Sequence, residues 1–310
     1  MYKKLPKAHL QTAWVSAQIA RCHFELSQYT EAAKMYETMV KQQAYRLEGL
    51  EYYSTCLWHL RKQMDLCYIA NYALERSLQA PETWCILGNC HALQKEHETA
   101  LKFFGRAIQL NPFFAYAHSL SGHEYVEIED FEQAKKCYGE ALKTEERHYT
   151  AWWGLGNIFQ KQEKYEAAAY NFNQALAINS RSAVLHTYLG MTLHNQNLLS
   201  EACACFDKAS ELDPSNILNK YQKSQVLLTM NKEQEALELL LDLKQELPKE
   251  APVFIGIGKI YKKLGQVQPA LENFSAALDL DPKDINQVSN MMKTIDQQHE
   301  MSDEQNDVDF

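Results

Sequence analysis

Three polar side chains that could hydrogen-bond to a peptide recur every 34 residues: Asn89, His123 and Asn157. Amide and imidazole N–H groups donate hydrogen bonds, so a row of them suits the backbone carbonyls and terminal carboxylate of an extended peptide. Equal spacing indicates that a repeated element supplies one donor per repeat. The sequence therefore predicts that these donors line up along one surface.

Three carboxylates, Glu48, Glu51 and Glu82, precede this row and could pair with an arginine. Tyr116 and Trp153 could form apolar walls between the two groups. A solvated helix face is the alternative for each of these positions. Taken together, the set favours a groove for a peptide that carries one cation, one apolar side chain and a carboxylate. The predicted peptide-binding groove consists of Glu48, Glu51, Glu82, Asn89, Tyr116, His123, Trp153 and Asn157.

Other chemical motifs are better explained by helical structure. Cys203 and Cys205 point in different directions on a helix, and no second Cys/His pair lies at zinc spacing, so no metal is expected. The glycine-lysine run at 256–259 resembles a phosphate loop, but no strand precedes it. The run at 273–275 matches an N-glycosylation acceptor, but its phenylalanine is a predicted core residue. No catalytic set and no cofactor site emerge, so the chain is predicted not to be an enzyme.

The elements that position these residues are 34-residue repeats. With a repeat starting at Pro81, a tryptophan, a glycine, an alanine, an aromatic residue and a proline occupy positions 4, 8, 20, 24 and 32. This period and residue set are typical of the tetratricopeptide repeat, a pair of antiparallel helices. Residues 13–46 keep part of the pattern, whereas 47–80 keep almost none of it. Small residues let the two helices approach, and proline ends the second helix.

The predicted fold is all-α, a tetratricopeptide superhelical solenoid of about eight repeats with a C-terminal capping helix. Its predicted organisation is a lead-in at 1–12, repeats at 13–46, 47–80, 81–114, 115–148, 149–182, 183–216, 217–250 and 251–284, a capping helix at 285–298 and an acidic disordered tail at 299–310. The predicted structural core of the repeats is Trp84, Gly88, Ala100, Phe104, Gly122, Ala134, Trp152, Gly156, Ala168, Gly190, Ala202, Gly258 and Ala270.

Composition limits the possible partners. The net charge is −9, and the five carboxylates in residues 300–310 account for −5 of it, so nothing favours nucleic acid. No apolar run could cross a membrane, and no signal peptide is recognisable. The eight scattered cysteines suggest reduced thiols, so the expected location is the nucleus and cytoplasm.

Several stretches outside the repeat consensus resemble the cell division cycle protein 27 family over nearly all of residues 1–284. They include YSTCLWHL (53–60), GHEYV (122–126), the run at 148–168 and the run at 248–266. The first is the most specific, because it lies in the repeat that has lost the consensus. The resemblance implies a non-catalytic scaffold subunit of the anaphase-promoting complex, a cell-cycle ubiquitin ligase, in which the groove binds the C-terminal Ile-Arg tail of co-activators and contacts other subunits of the complex.

Carried onto this sequence, the receiving groove would be residues 48–160. Members of the family also carry an N-terminal repeat block that forms a homodimer, followed by a low-complexity insert. This chain contains neither, so a fragment and a shortened paralogue are both compatible with it, and homodimerisation is uncertain.

Two other functions fit a repeat protein. A generic adaptor, for example for chaperones, would need basic groove positions, and only Lys259, Lys262 and Lys263 form a basic cluster. A substrate-recruiting arm of an enzyme would need a catalytic domain, although repeats fill 13–284.

Overall fold

The computed structural model describes residues 12–280, 285–286 and 288–294, and within these ranges the secondary structure is α-helical, in agreement with the predicted fold class. The helices pair in chain order: α1 Ala13–Glu25 with α2 Tyr29–Gln42, α3 Leu50–His59 with α4 Gln63–Leu74, α5 Pro81–Leu93 with α6 His97–Leu110, α7 Ala115–Glu127 with α8 Phe131–Thr144, α9 Tyr149–Lys161 with α10 Tyr165–Ile178, α11 Ala183–Asn195 with α12 Leu199–Leu212, α13 Ile217–Thr229 with α14 Glu233–Glu246, and α15 Ala251–Lys263 with α16 Val267–Asp279.

Residues 285–286 and 288–294 are also helical, within the span predicted as a capping helix. Most of the lead-in and the predicted acidic tail lie outside the described residues. None of the helices that the structure describes is both long and apolar enough to cross a membrane.

The chain divides between Leu185 and His186 into two compact units. Unit 1 contains α1 to α10 and the start of α11. Unit 2 contains the rest of α11 and the helices that follow it. All eight residues of the predicted groove belong to unit 1.

A left-handed residue sits in the turn between the two helices of each repeat. These residues have φ between +55° and +72° and recur every 34 residues: Ser27, Arg61, Lys95, Glu129, Glu163, Asn197, Asn231 and Gly265. Left-handed backbone reverses the chain within a few residues, at a steric cost for every residue except glycine. The turn geometry therefore keeps one register through eight repeats, including 47–80, where the sequence pattern fails.

Glycine at the eighth position makes room for an aromatic ring at the 24th. A Cβ added to Gly88 would lie 2.2 Å from Cε1 of Phe104, and one added to Gly156 would lie 2.6 Å from Cε1 of Phe172. The glycines of three further repeats face their rings in the same way: Gly122 faces Tyr138, Gly190 faces Phe206 and Gly258 faces Phe274. The alanines at the 20th position are fully buried: Ala100, Ala134, Ala168, Ala202 and Ala270.

In two of the three repeats that lack this glycine, the sizes of the neighbouring side chains compensate for its replacement. In the repeat at 217–250, Ser224 replaces glycine and Leu240 replaces the aromatic ring, and both are fully buried. In the repeat at 47–80, Ser54 occupies the glycine position. The large and the small side chain have changed places, because Leu66 occupies the alanine position and Ala70 occupies the position of the aromatic ring. The volume between the helices is thus kept although the residue pattern is lost.

The tryptophans at the fourth position hold the loop that joins consecutive repeats. Trp84 Nε1 donates to the carbonyl of Leu78 at 2.9 Å, and Trp152 Nε1 donates to the carbonyl of Glu146 at 3.1 Å. His118 makes the same bond to Pro112 at 3.0 Å. These side chains are half-buried, so they contribute both apolar contact and a bond that fixes the entrance to each first helix.

Candidate functional site

The predicted carboxylates differ strongly in exposure. Glu48 is exposed and pairs with Arg46 at 2.8 Å. Glu51 is only 5% exposed, and its carboxylate accepts a 2.8 Å hydrogen bond from the backbone N–H of Gly49. Glu82 is half-buried. We call these three residues the acidic cluster.

Burial, followed by the charge of Glu82, raises the pKa of Glu51 to about 8. The pKa of Glu82 is also raised, first by burial and then by the charge of Glu48. Loss of hydration makes a buried carboxylate hard to ionise, and neighbouring carboxylates add to this effect. The acidic cluster therefore holds a proton at neutral pH that an arriving cation could displace.

Asn89 and Tyr116 are joined to the second repeat by an internal hydrogen-bond network. Asn89 Nδ2 donates to Ser54 Oγ at 2.8 Å and to Thr55 Oγ1 at 2.9 Å. The hydroxyl of Tyr116 donates to the same Thr55 oxygen at 2.6 Å. Asn89 and Tyr116 are 4% and 6% exposed, so both are engaged with the protein rather than with solvent.

His123 is a neutral, half-buried side chain in the fourth repeat. Its Nδ1 forms a 2.7 Å hydrogen bond with the hydroxyl of Tyr138. Burial, followed by the charges of His148 and His59, lowers the pKa of His123 to about 4. Trp153 packs beside it with ring centroids 5.7 Å apart, and Asn157 lies half-buried one turn further along the same helix as Trp153. His123 can thus donate a hydrogen bond but carries no charge at neutral pH.

Within unit 1, the end of α1 contacts the fifth repeat. Asn179 Nδ2, just after α10, donates to the carbonyl of Glu25 at the end of α1 at 2.9 Å. The Glu25 side chain hydrogen-bonds to that of Tyr149. The rings of Tyr52 and Tyr116 are 4.6 Å apart. We call the eight residues of the predicted groove, together with Tyr52, the lining. We call the contacts of Glu25 with Tyr149 and Asn179 the α1 latch.

The structure adds residues that the sequence analysis omitted. Arg21 and Thr55 occupy the ninth position of the first and second repeats, the position shared by Asn89, His123 and Asn157. Arg21 lies over the ring of Tyr52, with its guanidinium carbon 4.8 Å from the ring centroid. Extending the ninth-position row toward the N-terminus would have found both residues. The α1 latch gave no such signal, because its partners are more than 120 residues apart.

The motifs that were not predicted to be chemical sites lie in ordinary structural environments. The glycine-lysine run at 256–259 lies inside α15. Asn273 is buried and donates to the carbonyl of Pro269 at 2.8 Å within its own helix. The eight cysteines are free thiols. Among the described residues, no three His, Cys, Asp or Glu side chains converge in a way that could hold a metal ion.

Paired helices in a 34-residue register, with a polar and aromatic lining in unit 1, define the chain as a helical-repeat scaffold. Profiles of the tetratricopeptide repeat match residues 81–114, 120–184, 186–216 and 251–284. The chain belongs to the tetratricopeptide-repeat family, whose fold is non-catalytic.

Individual similar proteins indicate a narrower family than the repeat profiles do. "Cell division cycle protein 27 homolog B" of Arabidopsis thaliana is 42% identical over 91% of this chain, which corresponds to 38% of that protein. "Anaphase-promoting complex subunit 3" of Schizosaccharomyces pombe is 35% identical over 95% of this chain and 44% of that protein. The resemblance to the cell division cycle protein 27 family is confirmed. The chain spans less than half the length of these relatives.

A solved structure has the same fold. The chain in a crystal structure described as the APC/C hetero-tetramer Cut9-Hcn1 superposes with a TM-score of 0.80 at 17% identity, covering 89% of this chain and 54% of the other. At that identity the match supports the solenoid fold and nothing finer.

Proposed function

We propose that this chain is part of a scaffold subunit of the anaphase-promoting complex, and that the lining of unit 1 binds the C-terminal Ile-Arg tail of a co-activator. The relatives carry the first half of this proposal, since one of them is named as subunit 3 of that complex. Its partners would be co-activator tails and neighbouring subunits, and its location the nucleus and cytoplasm.

The environment of Glu51 is the observation that supports binding of the Ile-Arg tail. It is buried, its pKa is raised to about 8, and within the described residues it takes part in no salt bridge. A guanidinium beside it would lower that pKa and supply the missing charge partner. The arginine of the tail is therefore assigned to the acidic cluster, and the terminal carboxylate to the donors His123 and Asn157.

Access to the lining requires movement, because Glu51, Asn89 and Tyr116 are buried in the present conformation. The α1 latch is the closure that must open. Its bonds are few, and Glu25 and Tyr149 are half-buried, so opening needs no unfolding of a repeat. Tail binding is then coupled to release of α1, and part of the binding free energy is used for opening.

The expected affinity is weak. A short extended peptide buries little surface, and a few charge-assisted hydrogen bonds of about 1.5–3 kcal/mol each must offset the ordering of the peptide. The dissociation constant is expected to be roughly micromolar, or about −8 kcal/mol. In an assembly, a second contact by the same partner would raise the effective affinity.

The test is fluorescence anisotropy of a labelled peptide that ends in free Ile-Arg. Saturable binding should disappear when the C-terminus is amidated and should weaken about tenfold or more with Asn157→Ala. Asn111→Ala serves as a control, since Asn111 caps the next turn through a 3.1 Å bond to Phe113 N and lies outside the proposed site.

An acidic chaperone-type tail is the second probe. Clear binding of that tail without binding of Ile-Arg would contradict the proposal and favour a generic adaptor. The basic residues of unit 2 do not favour that result, because Lys263 is already paired with Glu233 at 2.8 Å.

A further inference from the structure

Cys67 and Cys90 bring two thiols together across the boundary between the second and third repeats. Cys67 lies on α4 and Cys90 on α5, and their sulfur atoms are 3.3 Å apart. The two residues are 23 positions apart, and the turn between α4 and α5 brings them face to face. Both residues pack in the apolar cluster that surrounds the first two repeats.

We propose that Cys67 and Cys90 are a peroxide-sensitive pair that forms a disulfide between the second and third repeats. A disulfide bond is about 2.05 Å long, so the sulfur atoms need to approach by about 1.3 Å, which rotation about the side-chain bonds can supply. Among the described residues, none of the other six cysteines hydrogen-bonds to a second cysteine.

The difference in exposure decides which of the two thiols reacts with peroxide first. Cys67 is half-buried, whereas Cys90 is 7% exposed. The thiolate of Cys67 attacks hydrogen peroxide, the O–O bond breaks, and a sulfenic acid and hydroxide form. The thiolate of Cys90 then attacks the sulfenic sulfur, the S–O bond breaks, the S–S bond forms and a second hydroxide leaves. The two thiol protons convert both hydroxides to water, so two thiols and one peroxide give one disulfide and two waters.

The second step is the slow one. Burial raises the pKa of Cys90 to about 12, so at neutral pH only a small fraction of this thiol is ionised. Its rate should rise about tenfold for each pH unit between 7 and 9, because the thiolate is the attacking species.

Closure would act on the proposed site through the helices that carry it. The second repeat supplies Thr55 and the third supplies Asn89, whose amide bonds to Thr55 at 2.9 Å. A covalent link between α4 and α5 would hold this pair of repeats in one arrangement. The cross-link would also reduce the conformational entropy of the unfolded chain, so the melting temperature should rise by about 3–8 °C.

The experiment treats the whole chain with a few equivalents of hydrogen peroxide, followed by blocking of free thiols and non-reducing tryptic mass spectrometry. A peptide of residues 63–76 linked to one of residues 77–95 is expected, with fragmentation placing the link at Cys90 rather than Cys85. Cys67→Ser and Cys90→Ser should each abolish the cross-link and the rise in melting temperature. Cys203→Ser is the control and should leave both unchanged, because the Cys203 thiol donates to the sulfur of Met230 instead of facing a second cysteine thiol.

Two results would overturn the proposal. One is stable sulfinic acid at Cys67 with Cys90 still reduced in the wild-type chain. The other is a disulfide that forms with equal yield between other cysteines. The wild-type measurement is informative even if a serine variant misfolds, and circular dichroism shows whether it does.

Discussion

At the scale of single residues, Glu51 combines a stability cost with a proposed binding role. Its carboxyl is buried and its pKa is raised to about 8, whereas a glutamate in the unfolded chain titrates near 4.3. The folded state therefore binds a proton more tightly than the unfolded state between these two pH values. The stability contributed by the protonated carboxyl is complete below about pH 4 and is lost as pH rises through about 8.

Glu51→Gln should remove this loss, because glutamine is neutral and has nearly the same shape. We expect the variant to be more stable than the wild type by about 3–5 kcal/mol at pH 8 and by only about 1 kcal/mol at pH 5. Urea unfolding at both pH values measures the difference. Glu48→Gln is the control, and its exposed pair with Arg46 should change the free energy of unfolding by about 1 kcal/mol or less. A stability gain for Glu51→Gln that is equal at pH 5 and pH 8 would contradict the assignment of the raised pKa.

The same substitution should weaken tail binding although it stabilises the fold. Loss of a charged partner for the guanidinium is expected to raise the dissociation constant about tenfold or more. Anisotropy titration of the Ile-Arg peptide at pH 7 provides the measurement. Unchanged affinity in a folded Glu51→Gln variant would remove the acidic cluster from the proposed site.

At the scale of the helix pair, glycine positions fall into two physical kinds. Gly88 lies against the ring of Phe104, whereas Gly105, on the partner helix of the same repeat, has no atom within 4 Å of an added Cβ. Sequence spacing identified the first kind as core. It did not reveal that Gly154 and Gly256 also contact the ring-position residue of the preceding repeat.

Gly88→Ala should destabilise the chain by about 1–3 kcal/mol, because the Cβ would lie 2.2 Å from the ring and Phe104 is fully buried. Gly105→Ala should stabilise it by about 0.5–1 kcal/mol, since alanine restricts the unfolded chain and fits the helix. Thermal melting followed by circular dichroism compares the two.

Gly156→Leu should produce a larger clash of the same kind, against Phe172, and should disrupt neighbouring repeats through the shared core. A melt of Gly156→Leu that matches the wild type would refute this account.

The left-handed turn of each repeat gives an independent test. Gly265 has φ +72° and an added Cβ there meets nothing, so the cost of Gly265→Ala comes from the backbone alone. It should destabilise the chain by about 1 kcal/mol. Glu163, with φ +59° at the equivalent turn, offers the reverse change, and Glu163→Gly should be neutral or stabilising by a few tenths of a kcal/mol. Chemical denaturation of both variants measures the pair, and destabilisation by Glu163→Gly equal to that by Gly265→Ala would contradict the argument.

At the scale of unit 1, the proposed role of the α1 latch is to control access to the lining. Five repeats bring the end of α1 next to Tyr149 and Asn179, and the bond from Asn179 spans 154 residues of sequence. If the closed form must open before a tail binds, a weaker latch should increase the apparent affinity.

Asn179→Ala should therefore tighten binding of the Ile-Arg peptide by about two- to tenfold, since it removes one hydrogen bond that favours the closed form. Asn111→Ala is the matched control, because Asn111 occupies the same repeat position two repeats earlier and its side chain accepts a hydrogen bond from Phe113 N in its own turn. Hydrogen exchange of α1 amides should rise in Asn179→Ala alone. Faster exchange with no change in affinity would separate the latch from binding.

The sequence by itself determined the repeat, because a helix pair needs small residues at the close contact and a ring opposite them in every copy. It also pointed to a row of side chains on the first helices, which the structure extends to Arg21 and Thr55. Only the tertiary structure decided that Glu51, Asn89 and Tyr116 are buried, and that α1 reaches the fifth repeat. Those features depend on small rotations accumulated from repeat to repeat, which no local pattern records. The meeting of Cys67 with Cys90 was decided in the same way, by the packing of one repeat on the next.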